Sequence, residues 1–294
     1  MTCEIVEHAS AKVNLNLRVL PARADGFHDI ESIFQTISLA DTLVVRTVEG
    51  TGRCSVICPA MVLPEANTLT RAYDAFCTVT GGQCGSVSVE LTKRIPAGGG
   101  LGGGSSDAAA LIRALEKLNG VSLTDAQLDS IAAAVGSDVF FFVHCDKENG
   151  GCAVVSGRGE RVKEICKRRD LYFALIFPGV HSSTKEAYAL VDKQFAEEKK
   201  SGQCMYDYPA IETLETVYNL PVGKWNFVNT FTRSLSVLYP EIGRAVLELR
   251  NEGAAFCDMS GSGSTVYGVF ASREEAENAV KSLGARGMNC VLAI

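Results

Sequence analysis

The sequence lacks the features that would direct it to nucleic acid or to a membrane. Its 28 basic residues are outnumbered by 34 acidic ones, for a net charge of −6, so it has no basic excess with which to release counterions from nucleic acid. No stretch approaches the roughly 20 apolar residues of a membrane span. The N-terminal stretch carries acidic side chains where a signal peptide would carry basic and then apolar ones. We therefore predict a cytoplasmic protein with no nucleic-acid and no membrane partner.

Cysteine is plentiful, but it forms no recognisable pattern. The eleven cysteines are scattered from Cys3 to Cys290, without a Cys-x-x-Cys pair or histidines at zinc-finger spacing. Cys54 and Cys58 are closest along the chain and have no further ligand residues beside them. We expect free thiols, and neither a disulfide framework nor a zinc site.

Length and hydrophobic patterning indicate two domains of the α+β class. The chain has 294 residues, of which 47% are hydrophobic and 21% charged, so it can form ordinary globular cores. Ala11–Leu20 alternates apolar and polar residues, which predicts a half-buried strand whose polar face carries Lys12 and Asn14. The tail from residue 254 onward reads strand, glycine turn, strand, helix, strand, which suits a helix-backed antiparallel sheet. Residues 193–224 have the character of a variable surface excursion.

Two helix starts carry capping boxes. Thr124 and Gln127 are three positions apart at the head of one apolar-periodic stretch, and Ser272 and Glu275 are spaced alike at the head of another. The spacing predicts helices that begin at these two places.

A glycine-rich loop is the strongest functional signal. Pro96–Ala110 reads PAGGGLGGGSSDAAA; a predicted strand, SVSVEL, leads into it, and it continues into a helix with apolar residues at helical spacing. Glycines let backbone N–H groups converge on a ligand, and a helix N-terminus adds a positive dipole end. Both features favour phosphate, so an anion site is a better interpretation than a linker that binds nothing.

Two common phosphate loops do not fit this stretch. A Walker A loop requires Gly-Lys-Ser/Thr, and no lysine lies between Arg94 and Arg113. The loop satisfies G-x-G-x-x-G only because six of seven consecutive positions are glycine. A Rossmann unit would also place an acidic residue at the end of a second strand ~20 residues later. Here Asp125 opens a helix instead.

The loop resembles the phosphate loop of the GHMP kinases, in which a proline and a spacer precede Gly-Leu-Gly and then Ser-Ser. Asp258–Phe270, DMSGSGSTVYGVF, is similar to the C-terminal glycine motif of that family. The resemblance implies a two-domain α+β fold, with a ribosomal-protein-S5-like domain over residues 1–157 and a ferredoxin-like domain over residues 158–294. It also implies an active site in the cleft between them, with ATP and Mg²⁺ as cofactors.

The resemblance assigns ATP binding to the loop residues. The implied ATP-binding residues are Pro96, Ala97, Gly98, Gly99, Gly100, Leu101, Gly102, Gly103, Gly104, Ser105, Ser106 and Asp107. Ser106 is also the candidate Mg²⁺ ligand. The C-terminal motif is expected to contribute Gly261, Ser262 and Gly263.

Residues 11–34, AKVNLNLRVLPARADGFHDIESIF, further resemble those GHMP kinases that phosphorylate the 2-hydroxyl of a cytidine-diphosphate-linked sugar alcohol on the non-mevalonate route to isoprenoids. The resemblance implies Lys12 and Asp138 as catalytic residues, with Asp138 accepting the hydroxyl proton. The implied substrate-binding residues are Asn14, Phe27, His28, Thr184 and Tyr188. The expected partner is therefore a small molecule that carries cytidine diphosphate, bound by a monomer or weak homodimer.

Other functions remain open from the sequence alone. The chain could be a GHMP kinase of the mevalonate or homoserine type, or a non-catalytic member of the fold that senses a nucleotide. The presence of Lys12 and Asp138 favours an enzyme, and the Asp-Gly-Phe-His turn favours the cytidylyl substrate. The chain departs from the family pattern at Phe140, where proline is usual, and at Thr230 and Thr232, where acidic residues are common.

Overall fold

Two β-sheets with helices packed on them organise the computed structural model, which describes residues 3–82, 84–146, 150–202 and 206–294. The first part of the chain contains β1 (Glu4–Ala22), β2 (His28–Thr51), β3 (Cys54–Ile57), α1 (Thr68–Val79), β4 (Gly85–Thr92), α2 (Gly103–Asn119), α3 (Asp125–Val135), α4 (Ser137–Cys145), β5 (Cys152–Gly157) and β6 (Arg161–Ile165). Its sheet has the order β3-β4-β2-β5-β6, and β1 lies antiparallel to the long strand β2. Only β3 and β4 pair in parallel within this sheet, as far as the described residues extend.

The second part of the chain builds the other sheet. It contains β7 (Tyr172–Ile176), α5 (Thr184–Ser201), α6 (Leu214–Tyr218), α7 (Thr230–Leu238), α8 (Pro240–Asn251), β8 (Phe256–Met259), β9 (Val266–Phe270), α9 (Arg273–Ala285) and β10 (Cys290–Ala293). The strand order is β10-β7-β9-β8 with antiparallel neighbours. Leu249 of α8 and Leu283 of α9 are fully buried in the core under this sheet. The predicted α+β class and the helix-backed C-terminal sheet are confirmed.

The local helix signals are also confirmed. Thr124 and Gln127 form a capping box at the start of α3, and Ser272 and Glu275 form one at the start of α9. In each box the first side chain accepts from an otherwise unpaired backbone N–H, which stabilises the helix start. Helix α4 continues without a break through Phe140, so the lack of proline there does not interrupt the backbone after Asp138.

The prediction that β1 is only half-buried is wrong. Lys12 and Asn14 are only 3% and 2% exposed. The C-terminal part of the chain covers their face, because the Asn14 backbone N–H donates to Ser260 Oγ at 3.2 Å and Leu17 forms a parallel bridge with Asn229. The alternation therefore marks a strand between a core and the junction of the two parts of the chain.

We expected residues 193–224 to form a surface excursion. This expectation is wrong for the second half of the stretch. Residues 203–205 of this stretch lie outside the described residues. Further along, Leu214 and Tyr218 of α6 are fully buried, and the Tyr218 hydroxyl donates to Gln35 Oε1 at 2.6 Å. This segment thus helps to close the core beside β2.

The predicted boundary between residues 157 and 158 stays a prediction; it falls in the turn between β5 and β6, and β6 pairs with the N-terminal sheet.

Within the described parts of the chain, no helix is both long enough and apolar enough to cross a bilayer, and no cluster of three or more His, Cys, Asp or Glu side chains has the geometry to hold a metal.

Candidate active site

The glycine loop and the first turn of α2 line a cavity of about 340 Å³, here called the loop cavity. Every predicted ATP-binding residue from Pro96 to Asp107 borders it except Ser106. Gly98, Gly100 and Gly102 have φ values of 69°, 77° and 70°, a left-handed conformation that strains any residue with a Cβ. Apolar side chains of Met61, Leu63, Leu69 and Leu91 form part of the remaining wall.

A second and larger cavity, of about 910 Å³, lies on the other side of the loop and is here called the cleft cavity. It lies between β1, the turn before β2, and the first turns of α4 and α5. The predicted residues that border it are Lys12, Asn14, Phe27, His28, Asp138, Thr184, Tyr188, Gly261 and Ser262. Gly98, Gly100 and Gly102 border both cavities, so the loop forms a shared wall.

Lys12 connects the loop to the carboxylate across the cleft. Its Nζ donates to Asn14 Oδ1 at 2.6 Å and to the Gly100 carbonyl at 3.3 Å, and it lies 3.4 Å from Asp138 Oδ2. The ammonium also lies 4.5 Å from the centroid of the Phe34 ring. The nearby Asp138 carboxylate stands in the first turn of α4 and is partly exposed to the cavity. A buried cation therefore faces both the loop and the only carboxylate that we predicted to be catalytic.

The Asn14 side chain positions Lys12. Its Oδ1 accepts from Lys12, and its Nδ2 donates to Ser32 Oγ at 3.1 Å. The Asn14 amide borders the cleft cavity, but both of its ends already have protein partners. Asn14 therefore holds the Lys12 ammonium in place through the hydrogen bond at its Oδ1.

Aromatic side chains line part of the cleft cavity. Phe27 is 49% exposed, and the Arg158 guanidinium lies 3.7 Å from its ring centroid. The Tyr188 ring lies 5.0 Å from the His28 ring at 31° and 5.0 Å from the Phe231 ring at 83°. Burial raises the pKa of Tyr188, so its hydroxyl is neutral. These rings offer a flat ligand an apolar setting.

The side chains of His28 and Thr184, which also border the cleft cavity, each have a hydrogen-bond partner in the protein. His28 Nδ1 lies 2.7 Å from the Leu20 carbonyl, which can only accept, so Nδ1 carries a proton. The Thr184 and Ser262 hydroxyls lie 2.9 Å apart and join the start of α5 to the C-terminal glycine motif. Gly263 does not border the cleft cavity; its N–H donates to the Ser260 carbonyl at 3.0 Å.

Lys93 is a residue of the site that the sequence argument missed. Its Nζ forms an ion pair with Asp41 and lies 2.9 Å from Asp107 Oδ2. An added Cβ on Gly103 would lie 3.2 Å from this ammonium, which therefore sits directly under the start of α2. Lys93 directly follows β4, the strand that leads into the loop, and therefore lies before the glycines, where a Walker A pattern has no lysine. A lysine at the end of the strand entering the loop was the available signal.

One cation and two buried carboxylates share this cluster. Asp41 is fully buried and Asp107 nearly so. Burial raises the pKa of Asp107 to about 7; the Lys93 charge opposes this rise, and the neighbouring Asp41 charge adds to it. Asp107 therefore changes between its protonated and charged forms in the neutral range, directly beside Lys93.

Ser106 and Asn229 have different surroundings. Ser106 is fully buried, and no hydrogen-bond partner of its Oγ is found within the described chain. This hydroxyl has a free lone pair of the kind Mg²⁺ accepts, although it borders neither cavity. Asn229 caps α7 and donates to the Met259 and Gly261 carbonyls at 2.7 and 2.8 Å. Asn229 therefore supports the C-terminal glycine motif.

Two family models match this chain. Residues 67–146 match the GHMP kinases N-terminal domain, and residues 219–289 match the GHMP kinases C-terminal domain. The 4-diphosphocytidyl-2-C-methyl-D-erythritol kinase of Treponema pallidum (strain Nichols) is 41% identical over 285 residues, which cover 96% of each chain. The protein of that name from Thermotoga maritima is 39% identical over 274 residues, covering 92% of each.

Solved structures agree with these matches. A crystal structure of a 4-(cytidine 5′-diphospho)-2C-methyl-D-erythritol kinase superimposes with a TM-score of 0.76 at 30% identity, over 98% of each chain. A homoserine kinase from Cytophaga hutchinsonii has a TM-score of 0.71 at 20% identity, over 98% of this chain and 93% of its own, and shares the fold. The predicted two-domain fold is thereby confirmed. This chain belongs to the GHMP kinases and, within them, to the family of the 4-diphosphocytidyl-2-C-methyl-D-erythritol kinases.

Proposed function

We propose that this protein transfers the γ-phosphoryl group of ATP to the 2-hydroxyl of 4-diphosphocytidyl-2-C-methyl-D-erythritol. The observation that carries the proposal is the shared wall: Gly98, Gly100 and Gly102 border both cavities. A donor on one side of this loop and an acceptor on the other would meet beside Lys12 and Asp138. That arrangement suits direct transfer, in which positioning and charge stabilisation supply most of the catalysis.

The donor site is the loop cavity. Backbone N–H groups at the start of α2 and the positive end of its dipole would bind the phosphates of ATP. The apolar wall of Met61, Leu63 and Leu69 would receive the adenine. When bound, Mg²⁺ neutralises charge on the phosphate oxygens, and the otherwise unpaired Ser106 hydroxyl is our candidate to hold it.

The acceptor site is the cleft cavity. Phe27 and Tyr188 would enclose the cytosine ring, a contact worth ~1 to 3 kcal/mol per stacked base. His28 would bind the edge of the base, and Thr184, held to Ser262, would line the path of the diphosphate toward the loop. The methylerythritol end would then lie near Asp138 and Lys12, which border the same cavity.

The transfer step uses the two charged side chains of the cleft. The Asp138 carboxylate accepts the proton of the 2-hydroxyl as the oxygen forms its bond to the γ-phosphorus, and the bond to the β-phosphate oxygen breaks to release ADP. Lys12, 3.4 Å from Asp138 and held by Asn14, offsets the negative charge that develops on the transferring group. We expect the protein to act in the cytoplasm as a monomer or weak homodimer.

Release of ADP tests this function. The protein is incubated with Mg²⁺ and ATP together with, in turn, the cytidylyl substrate, mevalonate, homoserine and galactose. We expect turnover of the cytidylyl substrate alone. Turnover of mevalonate or homoserine without turnover of the cytidylyl substrate would contradict the proposal. A parallel preparation of Asp138→Asn excludes a contaminating kinase, because only the activity of this chain depends on that carboxylate.

A further inference from the structure

The imidazole ring of His181 lies against the glycine loop. An added Cβ on Gly98 would lie 3.1 Å from both Cε1 and Nδ1 of this ring. His181 is exposed and borders the cleft cavity, and no hydrogen-bond or ion-pair partner of its ring is found within the part of the chain that the structure describes. An imidazole carries an N–H donor whether it is neutral or charged. His181 therefore presents an unused donor beside the wall that the two cavities share.

The backbone on both sides of His181 is held to the C-terminal glycine motif. Ser264 Oγ donates to the Val180 carbonyl at 2.6 Å, one position before the histidine. The Thr184 and Ser262 hydroxyls lie 2.9 Å apart, three positions after it. Because these contacts flank the histidine closely, they fix the segment from which its ring reaches the loop.

Lys12 contacts the same wall at a different glycine. An added Cβ on Gly102 would lie 3.1 Å from the Cε and Cγ atoms of Lys12. Gly98 and Gly102 both border the loop cavity and the cleft cavity. A histidine and a lysine therefore contact the shared wall at two glycines four positions apart.

A phosphoryl group that crosses this wall requires donors for several oxygens. During transfer its negative charge is spread over three equatorial oxygens. Lys12 lies 3.4 Å from the Asp138 carboxylate, and the Lys93 ammonium is paired with two buried carboxylates, so both of these charges are already partly offset. A hydrogen bond from a donor without a protein partner to a charged oxygen is stronger than one to a neutral acceptor. The ring of His181 can supply that bond.

On the basis of the proposed function, we propose that His181 is a further catalytic residue, which donates a hydrogen bond from its ring to an oxygen of the γ-phosphoryl group. It contacts that group from the Gly98 end of the loop, while Lys12 contacts it from the Gly102 end. The bond forms when ATP binds and persists during transfer. The proton stays on the ring, and Asp138 remains the base. His181 lies outside the set of residues to which the sequence resemblance gave a role.

Binding calorimetry in the presence of Mg²⁺, with ADP and with a non-hydrolysable ATP analogue, tests the inference, because the two ligands differ in the γ-phosphoryl group. His181→Ala should weaken binding of the analogue about tenfold and leave binding of ADP unchanged. Tenfold is the low end of the range for a hydrogen bond to a charged group, as expected for an exposed donor. An unchanged affinity for the analogue, or equal losses for both ligands, would overturn the inference.

His8→Ala is the matched control. His8 is an exposed histidine on β1 that borders neither the loop cavity nor the cleft cavity. Both of its affinities should equal those of the wild type, and a loss for the analogue as large as in His181→Ala would overturn the inference. These affinities are measured without an acceptor and without turnover, so they stand apart from the ADP assay. A loss confined to the analogue in His181→Ala, together with a wild type that releases no ADP from the cytidylyl substrate, would refute only the proposed function.

Discussion

Gly100→Ala should push the glycine loop away from the C-terminal glycine motif, because the two segments touch where Gly100 meets Ser260. Gly100 has φ +77°, and an added Cβ would overlap the Ser260 carbonyl oxygen and lie 2.9 Å from its carbon. Restoring an ordinary carbon–oxygen contact of about 3.3 Å requires the two loops to move apart by roughly 1 Å. Since a misplacement of about 1 Å can cost on the order of 10²-fold in rate, we expect kcat/KM for ATP to fall by about that factor.

Gly120→Ala is the matched control for this substitution. Gly120 ends α2 with φ +62°, and a Cβ there would meet nothing within 4 Å. Both variants carry the left-handed strain of about 1 to 2 kcal/mol, and only Gly100→Ala adds the collision. Steady-state kinetics and denaturant unfolding of both proteins separate the two effects. Equal losses of activity in the two variants, or wild-type activity in Gly100→Ala, would refute the reasoning.

Three further predictions concern the acid, the aromatic wall and the buried pair. Asp138→Asn should lower kcat by about 10² to 10⁴ while ATP affinity is kept, and Asp129→Asn should not; an unimpaired rate in Asp138→Asn would exclude it as the base. Phe27→Ala should raise KM for the cytidylyl substrate about 5- to 150-fold at unchanged kcat, and an unchanged KM would remove Phe27 from the site. The pKa of Asp107 is raised to about 7 in the folded protein and is about 3.9 when unfolded, so the folded state binds the extra proton between these values. The unfolding free energy of wild type relative to Asp107→Asn should therefore fall as pH rises from about 4 to about 7, and a difference that rises over that range would contradict the assignment.

The features that the sequence predicted well are those that depend on neighbouring residues. The capping boxes of α3 and α9 need only two side chains three positions apart. The phosphate loop combines glycine conformation with a helix start, both of which are local. For that reason the loop cavity is bordered by nearly all the residues expected there.

The features that it missed depend on contacts between distant parts of the chain. Lys93 gains its place under the loop from Asp41, which is 52 positions away. The polar face of β1 is buried because Ser260 and Asn229 reach it from the far end of the sequence. His181 lies on Gly98 only because the C-terminal glycine motif holds the backbone beside it. Periodicity describes one element at a time, and these positions are set by the packing of several.

The most direct measurement is a crystal structure with a non-hydrolysable ATP analogue and 4-diphosphocytidyl-2-C-methyl-D-erythritol bound together. We predict phosphates on the backbone amides of Gly98–Ser106, cytosine between Phe27 and Tyr188, and the 2-hydroxyl about 3 to 3.5 Å from the γ-phosphorus, within reach of Asp138. A nucleotide bound away from the glycine loop, or an acceptor hydroxyl on the same side of the loop as the adenine, would contradict this prediction.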